Sequence, residues 1–375
     1  MKLLRCAGAV AVTAMLTVPL AYADPAPPVE SYSLQELVGP YPSDFPARGN
    51  HIAVLDGFTA IRDTHPDLVQ RNLDRTVEIN NNATPIEQQR ALFDADHERL
   101  LSLSDALGEG LGEAFRVALA EGRLPKVHAL LGGEVGRAVG VTNLSLLEKQ
   151  HWNNPRPFEV SPDRIHYYFG DGVSGSADPY VEVGGTSSYP SGHTSGAYLN
   201  GILLADMLPE LASQILARAS EVGNSRIVLG VHYPLDVMGG RIMGQVAAAQ
   251  RLNDPAFARL VDEAEDELRA ELERSVGVPL GEYMATDAPY RRSDVARDEF
   301  RERMTYGFDL IDPSMVNDIP AEAAVLMRSV APELTDGQRL DILRRTAIPA
   351  GYPLDQAGPD GGWLRIDLPA AYGAL

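Results

Sequence analysis

Residues 193–250 read HTSGAYLNGILLADMLPELASQILARASEVGNSRIVLGVHYPLDVMGGRIMGQVAAAQ. Apolar residues recur in this stretch at helical spacing, without the alternation of a strand, and Pro209 and Pro234 punctuate it. Proline ends one helix and is tolerated in the first turn of the next, where its missing N–H would have no partner anyway. The stretch therefore predicts three successive helices, over 193–207, from 211 toward 231, and over 235–250. The third contains Gly239, Gly240, Gly244, Ala247 and Ala248, small residues that permit close helix packing.

Working outward, Thr84-Pro85-Ile86-Glu87 is a capping box with proline at the first helical position. Ala91, Leu92, Ala95, Leu100, Leu103 and Leu107 follow at largely helical spacing, and Asn80-Asn81-Asn82 reads as the turn before them. Further helices are expected over 111–121 and 144–151, and a charged amphipathic one over 257–274. Alternating patterns are nearly absent along the chain, so the expected fold is all-α, a helical bundle. Residues 24–55 are Pro-rich and aperiodic and read as an extended N-terminal arm; 56–277 form the helical body. Within the body, 161–186 is rich in Gly, Asp and Ser, notably 170–175, and reads as a long functional loop. Residues 278–375 read as an appended C-terminal segment, with short helical pieces near 293–304, 321–329 and 336–345.

The 375 residues carry 32 Lys and Arg against 52 Asp and Glu, a net charge of −20. Such a surface disfavours nucleic acid and anionic membranes as partners, so any phosphate chemistry belongs in a locally basic pocket. At the start, Lys2 and Arg5 precede an apolar run over 7–20 and the small-residue site Ala21-Tyr22-Ala23. That order reads as a signal peptide over 1–23, cleaved near Ala23, and predicts a periplasmic or secreted protein. The run is shorter than the ~20 residues a bilayer requires, and no later apolar run is long enough to span one. Cleavage removes Cys6, the only cysteine. The mature chain then has no disulfide, thiolate nucleophile or cysteine metal site.

Three clusters place phosphate-binding or proton-transfer groups beside proline or glycine. They are Lys149 with Arg156-Pro157; Tyr189-Pro190-Ser191-Gly192-His193-Thr194; and Ser225-Arg226 with His232 and Asp236. Taken singly, a Lys and an Arg seven apart are usually a solvated face, and Ser-Gly-His is often only a helix start. Taken together, in this order and spacing, they resemble the three-part signature of the type 2 phosphatidic acid phosphatase superfamily. That group includes the bacterial class A nonspecific acid phosphatases and the vanadium-dependent haloperoxidases. Lys149, Arg156, Pro157, Pro190, Ser191, Gly192, His193, Ser225, Arg226, His232 and Asp236 fill its positions.

The residue types suit an anion. Arg supplies paired N–H donors and Lys a point charge, so Lys149, Arg156 and Arg226 would surround a phosphate with positive field. Ser191 and the Gly192 N–H add donors at a helix start, where the dipole favours negative charge. His232 and Asp236 stand four apart across a turn, which lets the carboxylate hold one ring nitrogen protonated and leave the other free to attack phosphorus. The resemblance implies the same roles: His232 as nucleophile forming a phosphohistidine, Asp236 as its orienter, and His193 as the acid for the leaving oxygen and then the activator of water.

The expected activity is thus an acid phosphatase acting on small phosphomonoesters, with no metal or other cofactor and with vanadate as inhibitor. Vanadate would be a cofactor only in the alternative, a haloperoxidase using the same pocket. Gly185-Thr186-Ser187-Ser188 is small, and the run 188–194 looks like the acid phosphatases. A noncatalytic phosphate-binding protein would not need His193, His232 and Asp236 together. His51, His65, His97, His128, His151 and His166 show no matched ligand spacing and read as structural or solvated. The three cations should lower the pKa of a neighbouring imidazole, Asp236 should raise that of His232, and a bound dianion that of His193, giving a bell-shaped profile with an acidic maximum.

Overall fold

The computed structural model describes residues 30–46, 48–133, 136–140, 143–169 and 178–375. The expected signal segment 1–23 and the Gly-rich run 170–175 lie outside the described residues. In chain order the helices that frame the site are α1 (Pro66–Asn82), α2 (Pro85–Asp96), α3 (Arg99–Ser104), α4 (Leu146–Trp152), α5 (Gly192–Met207), α6 (Ala212–Val228), α7 (Pro234–Asn253) and α8 (Pro255–Val276). No strand occurs among the described residues, and the fold is all-α as expected. No helix among the described residues is long and apolar enough to cross a membrane.

The three helices expected over 193–250 are α5, α6 and α7, and they form the centre. Every residue of α5 from Thr194 to Met207 is buried, as is nearly all of α7. A helix that is apolar all round belongs inside a larger body. The small residues do what their size allows: a Cβ on Gly240 would lie 2.6 Å from the Ser191 carbonyl, and one on Gly244 2.6 Å from that of Ser195. The backbones of α5 and α7 therefore touch, which brings the second and third sequence clusters together.

The N-terminal half departs from expectation in two places. The Thr84 cap forms, its hydroxyl accepting from the Glu87 N–H, but the helix it starts ends at Asp96. The chain breaks at His97 and Glu98 and restarts as α3 with Arg99. Asn80-Asn81-Asn82 is not a turn but the last turn of α1. The inner face of α1 is polar: Asn72, Thr76 and Asn80 are buried. Asn80 donates to the carbonyls of Val228 at 2.7 Å and His166 at 2.9 Å, and Asn72 accepts the Leu235 N–H at 3.1 Å. Buried amides satisfied in this way carry no hydrophobic periodicity.

Both ends of the chain fasten onto α7. Residues 30–55 include the short helices Leu34–Val38 and Ile52–Leu55 and a 3₁₀ turn, Pro42–Asp44. Asp44 accepts from Arg137 at 2.6 and 2.8 Å and from Arg251 of α7 at 2.8 Å. Beyond residue 278, Phe300, Met304, Trp363, Leu364 and Ile366 join the same hydrophobic core as α5 and α7. Arg241 of α7 donates to the Leu364 carbonyl at 2.9 Å, and Gln245 to that of Trp363 at 2.9 Å. Of the short pieces expected here, Ser293–Arg303 and Asp336–Thr346 are α-helices, whereas Ala321–Met327 is 3₁₀. Inside the expected 161–186 loop lies a short helix, Pro179–Val183.

Candidate active site

Lys149 sits in the last turn of α4, and the chain leaves that helix through Asn153 at φ 45°, a left-handed conformation that asparagine tolerates. This reversal turns Arg156 inward, where it is 2% exposed and caps the short helix Pro157–Val160. Its guanidinium donates to the carbonyls of Val183 at 3.0 Å, Val231 at 2.8 Å and Ser187 at 3.1 Å, and to the Thr186 hydroxyl at 2.9 Å. The Lys149 ammonium donates to the Ser187 carbonyl at 2.6 Å. The run of small residues before the second cluster thus holds both cations through its backbone.

Ser191 is the N-cap of α5, its hydroxyl accepting from the Thr194 N–H at 3.3 Å and the Thr194 hydroxyl at 2.8 Å. Gly192 and His193 follow in the first turn. The third cluster is divided between two helices: Arg226 lies in the last turn of α6 and Asp236 in the first turn of α7. His232 lies in the turn between them, which Gly230 makes possible with φ 67°. His232 Nδ1 is 3.1 Å from Asp236 Oδ2, which also accepts the Tyr233 N–H at 2.9 Å. With Asp236 ionised its carboxylate can only accept, so Nδ1 then carries the proton and Nε2, 3.2 Å from Arg156 Nη1, keeps its lone pair.

Lys149, Arg156, Gly192, His193 and His232 line one cavity of about 510 Å³. Ser191, Arg226 and Asp236 stand behind its wall, each fully buried. Arg226 is notable: none of its three guanidinium nitrogens has a hydrogen-bond partner among the described residues. Each buried donor left without an acceptor costs about 1–3 kcal/mol, so the fold retains Arg226 against its own stability.

Burial and like charge set the protonation states. Desolvation, then Arg156, Lys149 and Arg226, hold His232 well below the usual imidazole range. For His193 the leading cause is Arg226, followed by desolvation and Arg99, with the same downward direction. Burial raises Asp236 to about 7, against the Tyr233 N–H, Lys149, Arg156 and the Ser188 hydroxyl. Sequence reasoning weighs the cations against Asp236; in the structure desolvation joins the cations, and both imidazoles are shifted toward their neutral forms. Lys149 is pushed down to about 7 by desolvation and by Arg156 and Arg226. It is charged below that pH and loses its charge above it, so kcat/KM for a phosphate dianion is expected to fall as pH rises through about 7. Lys149→Arg keeps the charge and should move this alkaline limb upward by a unit or more, roughly, whatever its effect on the maximum. A limb unmoved in that variant would assign it to another group.

Other residues have different places. The Ser225 hydroxyl donates to Asp94 at 2.7 Å, and Asp94 also pairs with the buried Arg218, so Ser225 braces α2 against α6. Trp152 donates to the Thr59 hydroxyl at 3.0 Å and packs edge-on against Tyr189. His151 is exposed, and His51 is buried with Nε2 2.8 Å from Asn143 Oδ1. Sequence reasoning missed several polar lining residues, among them Arg99, Asn143, Ser145, Gln150 and Glu182. Arg99 reaches the cavity only because α3 packs on α5, and nothing near it in the sequence signals this.

The PAP2 superfamily profile matches residues 129–255. A non-specific acid phosphatase of Providencia stuartii is 29% identical over 161 residues, 43% of this chain and 60% of that protein. An acid phosphatase of Zymomonas mobilis is 36% identical over 120 residues, 32% of this chain and 42% of that protein. A non-specific acid phosphatase of Salmonella typhimurium is 38% identical over 81 residues, 22% of this chain and 32% of that protein. The chain thus spans at most 60% of the length of these curated relatives. The matched interval contains all three clusters and the whole of α5, α6 and α7, so it is through residues 129–255 that the chain is similar to the PAP2 superfamily.

Proposed function

We propose that the chain is an acid phosphatase that hydrolyses phosphomonoesters through a phosphohistidine on His232, without a metal. The observation that carries this reading is Arg226, a fully buried guanidinium with no hydrogen-bond partner among the described residues, beside two histidines whose pKa values are held down. A phosphate dianion supplies the hydrogen-bond acceptors that Arg226 lacks among the described residues, and Lys149 and Arg156 share it from the cavity wall.

The chemistry follows from the geometry. His232 Nε2 attacks phosphorus as the ester P–O bond breaks, and the departing oxygen takes a proton from His193. Asp236 keeps Nδ1 protonated and stabilises the charge that develops on the ring. His193 then removes a proton from water, whose oxygen bonds to phosphorus as the N–P bond breaks and phosphate leaves. The surroundings of His193 favour its neutral form and a bound dianion raises the imidazole pKa, so protonation is coupled to substrate binding. The N-terminal pattern of Lys2, Arg5, the apolar run and Ala21-Tyr22-Ala23 supports action outside the cytoplasm.

The test is release of p-nitrophenol from p-nitrophenyl phosphate by the full chain. Activity is expected to survive exhaustive chelation, and vanadate to inhibit competitively. Alkali-quenched enzyme should carry a phosphoryl group on His232, located by mass spectrometry. Restoration of a chelated, inactive enzyme by a divalent metal would overturn metal independence, and a phosphoryl group on any other residue would overturn the nucleophile.

A further inference from the structure

Helix α5 presents two glycines to the cavity, Gly192 and Gly196, four apart and so on one face. Each is covered by a polar group from elsewhere in the chain. A Cβ on Gly192 would lie 3.0 Å from Ser145 Oγ, and one on Gly196 would lie 2.5 Å from Arg99 Nε. A side chain at either position would press against these groups and have to displace them. Ser145 is wholly buried, and its hydroxyl has no hydrogen-bond partner among the described residues. Four helical residues rise about 6 Å, so Arg99 stands one turn beyond the Gly192 N–H, along the side of α5 that also presents His193 to the cavity.

Arg99 and Ser145 belong to neither the phosphoryl cations nor the nucleophile. Their side of the site is that of His193. At His193 the charge of Arg99 weighs more than that of Lys149 or Arg156, whereas at His232 it is not among the leading influences. A neutral leaving alcohol has no use for a guanidinium at that place. A leaving group with its own negative charge does.

Resting on the phosphohistidine reading above, we propose that Arg99 and Ser145 form a second anion subsite on the leaving-group side of His193, and that the preferred substrates are diphosphates cleaved at their terminal phosphate. His232 Nε2 bonds to the terminal phosphorus and the bridging P–O bond breaks. The electron pair stays on the bridging oxygen, which takes the His193 proton and departs on the penultimate phosphate, held by Arg99 and Ser145. Water then hydrolyses the phosphohistidine as in the monoester reaction.

The test compares kcat/KM for inorganic pyrophosphate and for p-nitrophenyl phosphate in the full-length wild type, Arg99→Gln, Arg99→Lys and Ser145→Ala. Arg99→Gln is expected to lower the pyrophosphate-to-monoester ratio by at least about tenfold, mainly through KM, with partial recovery in Arg99→Lys. Ser145→Ala should lower the ratio by about threefold, the effect of one neutral hydrogen bond. An unchanged ratio in both Arg99→Gln and Ser145→Ala overturns the subsite, whatever happens to the absolute rates, and so does a wild type that cleaves the monoester but not pyrophosphate. If Arg99→Gln does not fold, the Ser145→Ala ratio decides. A wild type that cleaves neither substrate overturns the phosphatase reading itself, and the subsite with it.

Discussion

His232→Ala is expected to stop turnover, lowering kcat on p-nitrophenyl phosphate by at least about 10³-fold. The imidazole is 1% exposed, with one nitrogen committed to Asp236 and the other facing the cavity. No second group shares that arrangement. Ser145 has a hydroxyl on the cavity but no base bonded to it, and Lys149 gives its ammonium to the Ser187 carbonyl. Removing the ring also leaves Asp236 buried without its partner, so the variant's fold should be checked by far-ultraviolet circular dichroism and by retained phosphate binding. Turnover within about tenfold of wild type in a folded His232→Ala protein would end the phosphohistidine mechanism.

The second large effect belongs to His193 and depends on the substrate. An alkoxide is a poor leaving group and needs its proton as the P–O bond breaks, whereas p-nitrophenolate leaves almost unaided. His193→Ala should therefore cost about 10²–10⁴-fold on an alkyl phosphate and markedly less on p-nitrophenyl phosphate. The same ring must give its proton although Arg226, desolvation and Arg99 all favour its neutral form. Only a bound dianion reverses that balance, so substrate binding and protonation are coupled. Equal losses on both substrates would remove His193 from the acid role and leave it as a binding group.

What was legible in the sequence was what is local. The helix starts at Thr84 and Ser191 are set by neighbouring residues, and the helices from 192 onward follow apolar spacing and proline punctuation. The Lys149, His193 and His232 clusters were legible because the helices that carry them are contiguous with them. Where physics acts over long separations, the sequence is silent. Helix α1 buries asparagines and a threonine, so its core face looks like a solvated one until Val228, His166 and Leu235 are seen to satisfy it. The break at His97 and Glu98 interrupts an apolar pattern that continues across it, and that break is what delivers Arg99 to the cavity. The dominance of desolvation over Asp236 at His232 likewise depends on how much protein surrounds the ring, a quantity no spacing reveals.

The fastening of α7 at both its ends bears on the order of assembly. The helix that aims Asp236 is bonded to residues 118 and 123 positions later, at Trp363 and Leu364, and to residues 207 and 208 positions earlier, at Asp44 and Ser43. Contacts so distant along the chain close large loops, which is entropically costly and slow compared with forming α7 itself. Trp363 can dock only once it has left the ribosome, well after α7 itself has emerged. The candidate site, although carried by residues 149–236, is therefore set firm only after segments far along the chain have docked, and a chain still emerging carries it in an unlocked form.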